Sequence, residues 1–64
     1  MRTGQVVSFR RTLSDWPKGT LAVVIGQAGE AILVELRDEQ GRWLDELAVL
    51  RADIAAVSSA PQGS

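Results

Sequence analysis

Short β-rich runs separated by glycine-bearing turns fill the first two-thirds of this chain, and that punctuation restricts it to a fold made of hairpins. In Gln5 to Arg10, Val7 and Phe9 alternate with Ser8 and Arg10, as a strand with one buried face requires. Thr20 to Ile25 is β-branched and almost wholly apolar, and it runs into Gly26-Gln27-Ala28-Gly29, read as a tight connection. Glu30 to Arg37 then alternates again, with Ile32, Val34 and Leu36 on one face and Leu33, Glu35 and Arg37 on the other. Asp38-Glu39-Gln40-Gly41 has the acidic opener and terminal glycine of a type I turn with a glycine bulge, which predicts a second hairpin. Between the first two runs, Arg11 to Gly19 holds Ser14, Asp15, Pro17 and Gly19, too many turn formers for a strand, and is expected to be a long exposed loop.

The last third reads two ways. Leu44, Leu47, Leu50, Ile54 and Val57 recur at a helical period. A turn closing on Gly41, however, asks for a partner strand beginning at Arg42, and Trp43 suits a strand surface. Periodicity leaves open a C-terminal helix after three strands, or a further strand and turn. The polar segment 59–64, with Pro61 and Gly63, is expected to be a disordered tail behind a single domain over 1–58.

With 64 residues, no Cys and no His, the chain has neither disulfides nor the usual ligands for zinc, so packing alone must hold it. No cofactor is expected. The missing imidazoles and thiols also leave Ser8, Thr12 and Ser14 without a base, so the chain is read as non-enzymatic. No apolar run approaches membrane-spanning length and no basic-apolar leader opens the sequence, which predicts a cytoplasmic protein with no membrane partner. The net charge of −1 argues against a surface built for nucleic-acid backbone, yet the charge is uneven. Residues 1–19 carry Arg2, Arg10, Arg11 and Lys18 against Asp15, while the remainder holds three Arg against seven acids.

Two aromatic positions stand out as partner-binding candidates. Trp16-Pro17 lies in the long loop, where an indole either anchors a partner or folds back to plug one end of the core. Trp43, at a strand start and in register opposite to Leu44, is the second, and the two indoles are expected to share an exposed patch. Arg10, Arg11 and Lys18, which with Arg2 form the basic cluster, complete the candidate set. Gly26-Gln27-Ala28-Gly29 matches a G-x-x-G clamp for RNA backbone, but strands flank it where that clamp needs helices. Asp45 and Glu46 are adjacent, so on a strand they point to opposite faces and form no carboxylate pair.

Gly4-Gln5-Val6-Val7, the loop ending in Lys18-Gly19-Thr20-Leu21, Val24 and the strand from Glu30 to Arg37 resemble the opening of small SH3-like barrels of the KOW type. More closely, Glu30 through Arg42 and the continuation to Asp53-Ile54 resemble a bacterial family, domain of unknown function 4926. That family usually has a second glycine at the position of Ala22 and a proline at that of Leu50. The resemblance implies an all-β, five-stranded SH3-like small barrel with strands near 5–10, 20–26, 30–37, 42–49 and 55–58 and one short 3-10 turn around Arg51 to Ile54. It tips the ambiguous segment towards strand, although the missing proline leaves a helix within 44–57 as the alternative. It brings no catalytic signature. The expected function is a binding module acting by protein–protein interaction or homo-oligomerisation through the aromatic loop. The alternatives are KOW-like RNA binding through Arg10, Arg11, Lys18 and Trp16, and inhibition of a neighbouring enzyme as an antitoxin.

Overall fold

The structure, a computed structural model, describes residues 2–57. It contains five antiparallel strands, β1 (Val6–Phe9), β2 (Leu21–Ala28), β3 (Ala31–Arg37), β4 (Trp43–Leu50) and β5 (Ile54–Ala56), with one 3-10 turn, Arg51–Asp53, before β5. The strands form one sheet in the order β4-β3-β2-β1-β5, which leaves β4 and β5 at its edges without a common ladder. Serine 58 and the segment 59–64, expected as a tail, lie outside the described residues.

The alternation in the sequence sets which face is buried. Val7 and Phe9 of β1, Ala22 and Val24 of β2, and Ile32, Val34 and Leu36 of β3 pack in one core with Val49 of β4 and Ile54 of β5. Five flat strands would hold their two edges about 19 Å apart at a spacing near 4.8 Å. Side chains from both edges nevertheless share one cluster, so the sheet is strongly coiled around its apolar face.

The first hairpin closes later than expected. β2 continues through Gly26, Gln27 and Ala28, and Ala28 pairs with Ala31 across a two-residue turn. Gly29 takes φ +61° at the first turn position, the geometry that a glycine there permits. Gly26 lies within the strand instead, opposite Leu33, after a bulge that leaves Ile25 unpaired. The second hairpin follows the sequence reading. The Asp38 carboxylate accepts the backbone N–H groups of Gln40 and Arg42, both at 2.8 Å, and Gly41 closes the turn at φ +83°.

Residues 43–50 are a strand, and the C-terminal helix is excluded. β4 pairs with β3 from Ala31↔Leu50 to Arg37↔Trp43. Leu47 and Val49 face inward, whereas Leu44, Leu50 and Val57, three of the five residues of the apparent helical stripe, are exposed. Helical spacing of leucines arose because Asp45 occupies an inward position where alternation would place an apolar residue.

Candidate functional site

The Arg11 to Gly19 loop is ordered by its own short hairpin. Leu13 and Trp16 exchange backbone hydrogen bonds of 2.9 Å each around Ser14 and Asp15, with Ser14 at φ +54°. Leu13 and Trp16 thereby turn onto the core and are partly buried. Thr20 secures the loop's return, its hydroxyl donating to the Pro17 carbonyl at 2.6 Å. Pro17 and Lys18 remain exposed. The loop is therefore a structured flap against the core, and its sequence neighbourhood of turn formers is consistent with that compact path.

Trp16 is held from β4. Its indole Nε1 donates to the Asp45 carboxylate at 3.0 Å, while the second Asp45 oxygen accepts the Glu46 N–H at 2.8 Å. Donation from the indole, then from that backbone N–H, lowers the Asp45 carboxyl below its ordinary value of 3.8, against the opposing effect of desolvation. Of the two roles open to Trp16, the geometry favours the plug at one end of the core. Asp45 and Glu46 project to opposite faces, opposite Leu36 and Glu35 respectively.

Trp43 sits elsewhere. Between Leu36↔Asp45 and Arg37↔Trp43 the register of β4 gains one residue, Leu44, with no partner on β3. Without that bulge Trp43 would share the inward face of Asp45. With it, Trp43 stands opposite Arg37 on the outer face and is 55% exposed, and Leu44 beside it is 44% exposed. The Trp16 indole is thus drawn onto the core and bonded to Asp45, while Trp43 stands on the solvent side of β4.

The basic cluster is divided as well. Arg10 and Lys18 are exposed, but the Arg11 guanidinium donates to Asp53 at 2.9 Å. Asp53 is buried in the 3-10 turn, where its other oxygen accepts the Leu50 N–H at 3.1 Å. The hydrogen bond from Arg11, then that from Leu50, holds the Asp53 carboxyl below its ordinary 3.8. Arg11 therefore fastens the loop to the turn before β5, reinforced by the Arg10 N–H donating to the Asp53 carbonyl at 2.8 Å.

Sequence reasoning missed Asp45 and Asp53 as the two carboxylates that tie the loop down. The available signal was position: each is an acid flanked two residues away, or adjacent, by an inward apolar residue. It also missed the exposed leucines of β4. Among the described residues no group of acids is placed to hold a metal ion, and no helix is long and apolar enough to cross a membrane. No family model, curated protein or solved structure matches the chain.

Proposed function

We infer that this chain is an SH3-like small barrel that acts as a non-catalytic module for protein–protein contact, with the outer side of β4 as its contact surface. The carrying observation is the bulge at Leu44, which turns two consecutive large apolar side chains, Trp43 and Leu44, to solvent. Bulges re-aim side chains, and an exposed Trp is among the strongest anchors at interfaces. Leu50, at the far end of the same strand, is also exposed, at 54%. The strand order and the 3-10 turn before the last strand support the barrel. The engagement of Asp45 and Asp53 in tertiary hydrogen bonds, in a chain without Cys or His, supports a role without chemistry.

The test compares immobilised wild type with Trp43→Ala in a lysate of the source cell, with captured material identified by mass spectrometry. A protein retained by wild type and lost with Trp43→Ala is the expected result. Identical retention by both variants removes β4 from the interface. An RNA complex that weakens steeply with salt and depends on Arg10 and Lys18 would replace protein contact by the KOW-like role.

A further inference from the structure

We propose that the loop from Arg11 to Gly19 is a latch on the outer edge of β4, tied so that holding the loop and closing that edge to strand addition are one event. Two carboxylates carry it. Asp45 accepts the Trp16 indole N–H on one oxygen at 3.0 Å and the Glu46 N–H on the other at 2.8 Å. Asp53 accepts the Arg11 guanidinium at 2.9 Å and, on its second oxygen, the Leu50 N–H at 3.1 Å. Each acid therefore joins one residue of the loop to one backbone donor of β4.

Those two donors point away from β3. β4 keeps a regular register with β3 from Asp45 to Leu50, so its N–H groups alternate between the ladder and the outer side, and Glu46, Ala48 and Leu50 share the outer side. Of the three, Ala48 alone has no acceptor among the described residues. The capped donors of Glu46 and Leu50 lie about 13 Å apart along the strand, at a rise near 3.3 Å per residue. An incoming strand would meet only the Ala48 donor between them, where a ladder needs every second one. β4 contains neither Pro nor Lys, the residues that most often blunt an edge, and the two aspartates take their place. That role also gives a reason for an acid at the inward position of residue 45. A carboxylate fixed by one hydrogen bond is already oriented for its second, so the two partners of each acid support one another, and lifting the loop loosens the edge. Trp43 and Leu44, exposed on the solvent side of β4, make their contacts with the latch closed.

Amide hydrogen exchange tests the pairing residue by residue. In wild type the Glu46 and Leu50 amides should exchange more slowly than that of Ala48, each relative to its unstructured rate. Trp16→Phe should speed Glu46 by roughly threefold to tenfold and leave Leu50 unchanged, and Arg11→Met should do the reverse. The Val34 amide, at the centre of β3, monitors global opening, since a variant that only destabilises the fold speeds it as much as the edge. With both ties removed, Arg11→Met/Trp16→Phe should self-associate in sedimentation equilibrium at a concentration roughly tenfold or more below wild type. Adding Ala48→Pro, which deletes the free outer donor and leaves the ladder to β3 intact, should abolish that gain. Wild-type Glu46 and Leu50 amides as fast as that of Ala48, or edge amides that follow Val34 in both single variants, overturn the latch. A folded double variant that associates no more than wild type, or whose association survives Ala48→Pro, overturns the closing of the edge. The exchange pattern of the single variants decides the latch whether or not the double variant folds.

Discussion

Phe9 and Trp43 show how differently two aromatic residues are used in one small domain. Phe9 is 1% exposed at the centre of the core, and truncating it to Ala is expected to cost about 3 to 5 kcal/mol. A domain of this length has a total stability on the order of 3 to 10 kcal/mol, so Phe9→Ala should be largely unfolded by circular dichroism at room temperature. Trp43→Ala, on the solvent side of β4, should change monomer stability by no more than about 0.5 kcal/mol in a denaturant titration. Its effect belongs to binding. Asp53 makes a prediction of another kind, because its carboxyl is lowered in the folded chain by Arg11 and by the Leu50 N–H. A lowered folded value means the stabilisation is fully present above the ordinary 3.8 and is lost as pH falls from there through the folded value. Asp45, lowered chiefly by Trp16, acts in the same direction. The variant Asp53→Asn should therefore be less stable at neutral pH, and its melting temperature should decline less than that of wild type as pH falls below about 4.

At the scale of elements, the hairpins were legible because each of their signals is local. The Asp38 to Gly41 turn follows from an acid that caps two backbone N–H groups and a glycine that accepts a positive φ. Gly41→Ala, strained at φ +83°, should lower stability by roughly 1 to 2 kcal/mol, measured by urea unfolding. β4 was not legible in the same way. Its inward positions are Asp45, Leu47 and Val49, and a carboxylate in the first of them broke the alternation that marks a strand. What places that acid is the indole of Trp16, from a loop 29 residues away. Trp16→Phe keeps the ring and removes the donor, so it should loosen the loop specifically. Hydrogen exchange should rise at the Leu13 and Trp16 amides before it rises in β3.

Over the whole molecule one apolar cluster joins all five strands, from Val49 at one edge to Ile54 at the other. Unfolding is therefore expected as a single cooperative transition, coincident by fluorescence and circular dichroism. Ile32→Val, which removes one methylene from that cluster, should cost about 0.5 to 1.5 kcal/mol, and each kilocalorie should lower the melting temperature by roughly 4 to 8 °C. Sequence alone determined the strand-rich composition, the buried face of β1 and β3 and the acidic turn, since these depend on neighbours two to four residues apart. It also bounded the chemistry, through the missing Cys and His. Only the tertiary structure decided the rest: that the leucine stripe of 44–57 divides between core and solvent, that Arg11 and Trp16 are fastened by Asp53 and Asp45, and that a one-residue bulge turns Trp43 outward. Those outcomes depend on register between strands and on contacts between residues far apart in the chain, which no local pattern encodes.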